Sequence, residues 1–497
     1  MKKKIVIVGG GTAGWLSALY VQKLYKDIAD IILVESDEVG ILGAGEGSVP
    51  SFIGFLTELE INTYDFILKT NSTHKIGIDF KNWNNDGKSY LHDFYSTDVV
   101  LNPTAEFEYL GYLMANGFDI NEHMLAKKLA YSNMAPLSNT NAELVSHSFH
   151  FDAHLVADYL KNIALQRGVI RIEGIVNEFG QDVYGNVRTI KLENNIIDNI
   201  HFVFDCSGFA KLIIGKLYNT EWISYEDKLT VNSALPFQLP KDEGHIKPYT
   251  KAIAMKYGWM WQIPLQNRWG CGYVFDDNYI NSDEAKKEVE EFLGHSIENN
   301  RTIKFKAGRY KNIWVKNCIA IGLSSGFIEP LEATAINMAT LLLKLLNKFD
   351  IDYVNSTTIG NYNLEYGLVT DDIVDFLQFH YITKRNDTPF WEFYRSDKMK
   401  KSKALSMNLE KLKNDLTIFM PINQTSIFVD KSWTTVGYGT EYLNKNLFID
   451  KFNKVKDNEN TIREFDYLNK ITTDAIKKLT ISEWEFINKL KEKYARN

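Results

Sequence analysis

Gly9, Gly11 and Gly14 stand in the string Gly9-Gly10-Gly11-Thr12-Ala13-Gly14, and Glu35 follows about twenty residues later, a spacing that suits a bound dinucleotide. Gly9 permits a tight turn, Gly11 lets backbone approach a pyrophosphate, and Gly14 allows close helix packing. Thr12 and Ala13 open the helix whose free N–H groups would face the phosphates, and Glu35 would hold a ribose hydroxyl. A second constellation reads Gly258-Trp259-Met260-Trp261-Gln262-Ile263-Pro264. Trp259 and Trp261 alternate on a strand, so both indoles share one face and make a wall. Pro264 ends the pairing because it has no N–H to donate. By itself the pair suits core packing or an interface anchor as well as a reaction chamber.

The elements that must position these residues follow from the apolar pattern. A strand over 5–8, a helix to about 26 and a strand over 31–34 that ends at Glu35 give the dinucleotide-binding order of strand, glycine turn, helix, strand and acid. Two later strands return to the same module. One, over 202–204, leads into Asp205-Cys206-Ser207-Gly208-Phe209, and the other, over 318–321, feeds Gly322-Leu323-Ser324-Ser325-Gly326-Phe327. Such returns suit a module that wraps one FAD with three distant segments, Asp205, Gly322 and Leu323 among its contacts; each also suits an ordinary strand-to-helix turn. The expected fold class is α/β with α+β elaborations: a Rossmann-type, flavin-monooxygenase-like module over 1–350, interrupted near 84–150 and 213–305 by substrate-domain insertions rich in Tyr, Phe and His. Glycines thin out after about 360, and 351–497 reads as a mostly helical region on the substrate side, packed on the flavin module.

Composition bounds the function. Hydrophobic residues at 45% and charged residues at 24% describe a globular protein with a large core. A formal charge of −7 leaves no basic excess to neutralise phosphates, which argues weakly against nucleic acid as the main partner. Lys2 to Lys4 run directly into a strand and make a poor leader, and no apolar run is long enough to span a bilayer, so a cytoplasmic enzyme without a membrane partner is expected. Cys206, Cys271 and Cys318 are odd in number and widely spaced, as reduced thiols would be, and they form no metal-ligand pattern. A homo-oligomer is compatible with these features.

Taken with the glycine fingerprint, the Trp-x-Trp-x-Ile-Pro string resembles the signature of flavin-dependent tryptophan halogenases. His74-Lys75-Ile76-Gly77-Ile78-Asp79-Phe80-Lys81-Asn82-Trp83 is similar to a second stretch of that family, and Lys75, eight residues before Trp83, falls on its catalytic lysine. A desolvated ammonium donates hydrogen bonds that polarise an O–X bond, and burial draws it toward a nucleophilic amine. Phe327-Ile328-Glu329-Pro330-Leu331-Glu332-Ala333-Thr334-Ala335 resembles a third. It places Glu332 on the active-site glutamate and the N–H groups of Thr334 and Ala335 where relatives hold halide, at a helix start that favours an anion. Many tryptophan-specific relatives have Ser at the position of Ala333 and Gly at that of Ala335, which leaves open whether chloride, bromide or iodide is used. Tyr90-Leu91-His92-Asp93-Phe94 resembles the stretch whose histidine and phenylalanine sandwich the indole, so His92 and Phe94 become a candidate substrate platform. Gly43-Ala44-Gly45-Glu46-Gly47-Ser48-Val49-Pro50 matches the family's strap beside the flavin, through Ala44, Gly45 and Glu46. The string from His380 to Trp391 is similar to a structural one, with Arg385 as a further candidate.

The resemblance implies an enzyme that uses FADH2, O2 and halide to make hypohalous acid, which Lys75 relays to an electron-rich aromatic ring with Glu332 assisting. Trp259 and Trp261 would then partition flavin from substrate. One dinucleotide fingerprint and no second module for NAD(P)H imply a separate flavin reductase. Two other readings remain open: a single-component aromatic hydroxylase on the same fold, and a non-catalytic flavin-binding protein.

Overall fold

The computed structural model describes residues 2–38, 45–94, 105–120, 124–298, 301–348, 351, 354–414 and 426–495. Ala44 and Gly43 of the expected strap lie outside the described residues. The chain forms two compact units, one built from 1–71, 151–230 and 305–371 and the other from 72–150, 231–304 and 372–497.

The first unit is organised by a six-stranded sheet in the order Trp314–Val315, Cys318–Ala320, Ile200–Asp205, Lys3–Val8, Ala29–Glu35, Ile170–Glu173. All neighbours are parallel except the first pair, which forms an antiparallel hairpin. Ile5, Val6, Ile7 and Val8 are all buried, as continuous β-branched runs are in a parallel sheet covered on both faces. The helix Thr12–Tyr25 leaves the first strand through the glycine turn and packs against the helix Ala153–Gln166. Asp152 caps that second helix by accepting from the N–H groups of His154 and Leu155. The strands at 202–204 and 318–321 expected to return to this module do so: Asp205 sits beside Val8 on one side and Ala320 on the other.

The second unit is built on a seven-stranded sheet in the order Ile303–Lys304, Ser233–Pro240, Arg268–Phe275, Gly258–Pro264, Tyr249–Met255, Gly77–Lys81, Ser89–Asp93. Its pairs are antiparallel except Tyr249–Met255 with Gly77–Lys81. One face buries Leu235, Phe237, Met260, Tyr273 and Phe275 under the helix Ser282–Leu293. That helix starts with a capping box, Asn281 accepting from the Glu284 N–H while the Glu284 carboxylate accepts from the Asn281 N–H. Beyond residue 389 the described chain is mainly helical, through Pro389–Arg395, Lys403–Asn414, Asp430–Gly439, Lys445–Asn453, Glu459–Leu479 and Glu483–Ala495. Among the described residues no helix is long and apolar enough to cross a membrane. All three cysteines are free and buried.

Candidate active site

In the first unit the glycine turn has the shape of a phosphate cradle. Gly9 has φ +117°, and a Cβ there would meet the Cys206 carbonyl oxygen at 2.2 Å; one on Gly14 would meet the Gly9 carbonyl oxygen at 1.9 Å. A Cβ on Gly11 would meet nothing within 4 Å, so this side of the turn is open. Gly11 caps the helix Thr12–Tyr25 with no side-chain hydrogen bond, which leaves the first N–H groups, including those of Thr12 and Ala13, for an anion. Gly322, at φ +71°, comes close enough to this turn that a Cβ would lie 2.7 Å from the Ala13 Cβ; Leu323 follows it in a short 3-10 turn. Open backbone, a free helix start and the nearby Gly322 fit the pyrophosphate of FAD.

Glu35 stands at the end of its strand, where its Oε1 accepts from Arg171 Nε at 2.6 Å and pairs with Lys161 at 3.0 Å. Its Oε2 lies against Gly10, where any Cβ would collide with it. Asp205 ends the strand Ile200–Asp205, beside Val8. It is fully buried, and its carboxylate accepts from Ser207 N and Oγ and from the N–H groups of Ile213 and Ile214. It therefore shapes the turn after its strand. Gly45 has φ +104°, and Glu46 follows in the two-residue strand Glu46–Gly47. Burial, and then the charge of Asp152, push the Glu46 carboxyl up to about 7, although part of its side chain still reaches the surface.

Glu332, 2% exposed, precedes the helix Thr334–Leu345. Between them Ala333 adopts the left-handed conformation at φ +54° and ψ +38°, closing a turn in which its N–H donates to the Pro330 carbonyl at 3.0 Å. No side chain caps this helix. Thr334 is buried and Ala335 exposed, so the free N–H groups of the first turn offer an anion a ready seat.

In the second unit Trp259 and Trp261 lie on the strand Gly258–Pro264 with ring centroids 6.2 Å apart and planes at 57°. Gly272 is directly opposite Trp261, and the indole occupies the space its side chain would fill. Lys75 is on the strand Thr73–Lys75, with no exposed surface, and its Nζ lies 5.0 Å from the centre of the Phe94 ring. Two residues before it, Thr73 ties this strand to the tryptophan strand: its hydroxyl donates to the Pro264 carbonyl at 2.7 Å. That uses its one hydrogen, so towards His150 Nδ1, 3.1 Å away, Thr73 accepts. His150 is thereby the Nδ1–H tautomer, and its Nε2 accepts from the Thr250 hydroxyl at 2.9 Å. Burial, and then the positive charge of Lys75, hold His150 well below the usual histidine range, hence neutral.

His74 points to the other side of the strand. There Glu483, which opens the helix Glu483–Ala495, accepts from the His74 N–H at 2.9 Å and pairs with Nδ1 at 2.9 and 3.1 Å. Both side chains are at most 1% exposed. Nothing in the sequence marked this pair, whose members lie 409 positions apart.

His92 and Phe94 are buried at the end of the edge strand Ser89–Asp93 and just beyond it. His92 Nε2 meets Ser432 Oγ at 3.0 Å, and its ring stands 5.5 Å from Phe376 and 6.2 Å from Phe428. Phe376 stacks on Phe428 at 3.9 Å and meets Trp433 edge-on at 5.2 Å. Phe376 lies on the helix Ser356–Tyr381, Trp433 on the helix Asp430–Gly439 and Phe428 just ahead of it; sequence reading missed these rings because their apolar spacing is ordinary. Arg385 is structural, bonded to Asp387 through Nε and Nη2 and stacked 4.7 Å over Trp391.

Comparison with known proteins agrees with this arrangement. The tryptophan halogenase family model matches residues 4–453. The chain is 32% identical over 415 residues to the tryptophan 7-halogenase RebH of Lentzea aerocolonigenes, covering 78% of each chain. It is 33% identical over 420 residues to the tryptophan 6-halogenase SttH of Streptomyces toxytricini, covering 78% of this chain and 80% of that one. Among solved structures, the flavin-dependent halogenase Xcc4156 from Xanthomonas campestris superposes with a TM-score of 0.87 at 29% identity, covering 99% of this chain and 98% of the other. Fold, fingerprint and sequence relationship together make this chain a member of the tryptophan halogenase family of flavin-dependent halogenases.

Proposed function

We propose that this enzyme halogenates an electron-rich aromatic ring of the indole or phenol type, with Lys75 as the residue that delivers the oxidised halogen. The observation that carries the reading is Lys75 itself, an ammonium without exposed surface that lies over Phe94 beside His92. Lysines are rarely buried without a task. As a family member the chain is a flavin-dependent enzyme with an aromatic substrate and an external source of reduced flavin.

Gly9, Gly11, Gly14 and Gly322 would hold the FAD pyrophosphate, with Glu35 at the ribose and Gly45 and Glu46 on the strap. When bound and reduced, the flavin supplies the electrons that activate O2 for halide oxidation. The N–H groups of Thr334 and Ala335 seat the halide through helix-start electrostatics. Trp259 and Trp261 fill the tryptophan strand's face and keep the ring of the substrate from direct approach to the flavin. Lys75 donates hydrogen bonds to hypohalous acid, polarising its O–X bond toward the ring. His92 and Phe94 hold that ring by its faces, and Glu332 takes the displaced proton while its charge stabilises the ring cation.

The test supplies the enzyme with a flavin reductase, FAD, NADH, O2 and each halide in turn, and follows a panel of indoles, phenols and anilines by mass spectrometry. Halogenated product is expected with wild type, and none with Lys75→Ala, in which flavin oxidation and peroxide release continue. Retained ring halogenation by Lys75→Ala overturns the lysine's role. Rapid NAD(P)H consumption by the enzyme without reductase overturns the two-component scheme in favour of a hydroxylase.

A further inference from the structure

The strand that carries Lys75, Thr73–Lys75, is only three residues long, so its place is set by what it is bonded to. Behind Lys75 the ties are backbone. The Ile76 N–H donates to the Pro248 carbonyl at 2.7 Å, and the Ile76 carbonyl accepts from the Phe94 N–H at 3.0 Å, which fixes the lysine to its platform residue. Ahead of Lys75 the ties are side chains. Thr73 donates to the Pro264 carbonyl at the end of the tryptophan strand. The His150 ring, opposite Thr73 in the antiparallel pair, joins Thr73 at 3.1 Å to Thr250 at 2.9 Å. Thr250 belongs to the strand Tyr249–Met255, which pairs with the tryptophan strand.

Thr73, Lys75 and His150 have no exposed surface, and Thr250 is buried as well, so a bond lost from this chain leaves a polar group unmatched in the interior. The histidine is suited to the place by its tautomer. Thr73 spends its hydrogen on Pro264 and so accepts from the Nδ1–H, and the Thr250 hydroxyl donates to the bare Nε2. Both nitrogens are committed: the ring cannot turn without breaking a bond, and it has no free lone pair to draw a proton from Lys75. An imidazolium here would set a second positive charge beside that of the lysine.

We propose that His150 is a positioning residue for halogen delivery: bonded at both nitrogens, its ring holds the Lys75 strand at a fixed reach from the tryptophan hairpin, and that reach decides how much oxidised halogen passes to the aromatic ring and how much escapes. Misplacing a delivering group by 1 Å costs on the order of a hundredfold in rate. The platform is tied to the lysine through Ile76 and not through His150, so the effect belongs to kcat and to halogen yield, and not to the KM of the aromatic. This role rests on the halogenase reading above; the bonding of the ring does not.

The experiment compares wild type with Thr250→Val, which keeps the size of the side chain and removes the donor to His150, and with Thr250→Ser, which keeps the hydroxyl. With reductase, FAD, NADH, O2 and bromide, and the aromatic compound that wild type halogenates best, halogenated product and hypohalite caught by a trapping reagent are both measured. In Thr250→Val the ratio of product to trapped hypohalite should fall at least fivefold and kcat should fall with it, while KM for the aromatic stays within twofold; Thr250→Ser should keep at least half of the wild-type ratio. A loss of folded enzyme scales both yields alike and leaves the ratio unmoved. His150→Asn, which has no atom to reach Thr250, should match Thr250→Val, and the double variant should fall no further. A smaller change in Thr250→Val, or an equal fall in Thr250→Ser, overturns the positioning role. If wild type halogenates nothing, the halogenase reading fails and the delivery role with it, and nitrogen NMR of enzyme labelled with 15N-histidine decides the bonding of the ring: the imidazole signals that move in Thr250→Val should be those of an Nδ1–H tautomer, and an Nε2–H or imidazolium pattern overturns it.

Discussion

Gly272→Ala gives a severe test of the tryptophan wall because the change is one methyl group. The added Cβ would lie 2.1 Å from Cη2 and 2.2 Å from Cζ2 of Trp261. Carbon atoms rest about 3.5–4.0 Å apart, so methyl and indole overlap by roughly 1.5 Å. The backbone of Gly272 cannot retreat, since its strand is paired on one side to Ser233–Pro240 and on the other to Gly258–Pro264. The indole must therefore swing away. Overpacking of this kind costs about 1–3 kcal/mol, which lowers the melting midpoint of a chain this long by roughly 1–3 °C. A displaced Trp261 should also breach the partition: halogenated product per flavin oxidised falls at least threefold, and hypohalite caught by a trapping reagent rises correspondingly. Trp261→Phe in the same background, with its smaller ring, should recover part of the lost stability, and the cycle of single and double variants isolates the clash. An unchanged melting midpoint in Gly272→Ala refutes the packing argument. A lowered midpoint with unchanged product per flavin refutes the partition.

The other expectations follow from single features. Ala333→Gly relieves a left-handed residue, worth roughly 1–2 kcal/mol, against a glycine entropy cost of about 0.5–1 kcal/mol; a small rise in melting midpoint is expected, and a fall counts against strain at φ +54°. His147 is pushed down to about 3 by burial and then by the nearby His74. It stays neutral in the fold while the unfolded chain takes a proton below about 6.5, so this contribution to stability is lost as pH falls toward 3. Burial raises Glu46 to about 7 and Asp79 to about 6, and these act in the opposite sense, losing stability as pH rises through those values. Comparison of His147→Gln with wild type isolates the histidine: the stability lost between pH 7 and pH 5 should be smaller in the variant by about 2 kcal/mol. Glu483→Ala leaves His74 unpaired in the interior and should cost about 3–5 kcal/mol; a loss under about 1 kcal/mol in thermal or urea melts would show the pair to be dispensable.

What could be read from sequence was local chemistry with a fixed period. The glycine turn and its flanking strands were legible because a dinucleotide site needs particular backbone freedom at particular spacings, and Gly9 and Gly14 show the crowding that demands it. The tryptophan strand was legible because alternation sets which side chains share a face. The turn that Asp205 braces was not legible, because an acid after a strand suits a turn as well as a cofactor and its four donors are met only in the fold. The His74–Glu483 pair, the Ser432 hydroxyl beside His92 and the Phe376–Phe428 stack were illegible for one physical reason. Each joins residues brought together only by tertiary packing, and a buried Glu at a helix start looks in sequence like any N-terminal acid. The same holds for the pairing of Thr73 with Pro264 across 191 positions.

The parallel order of the first sheet also sets a timetable for synthesis. The strand Lys3–Val8 emerges first from the ribosome, and its neighbour Ala29–Glu35 follows at once, but its other edge waits for Ile200–Asp205. At about 5–20 residues per second that delay is roughly 10–40 s, and the strand Cys318–Ala320 needs over a hundred residues more. Through this interval an apolar, β-branched edge has no partner of its own. Chains halted between these strands should therefore be the aggregating species during expression, and yield should depend on translation rate and chaperone supply more than on the stability of the finished enzyme.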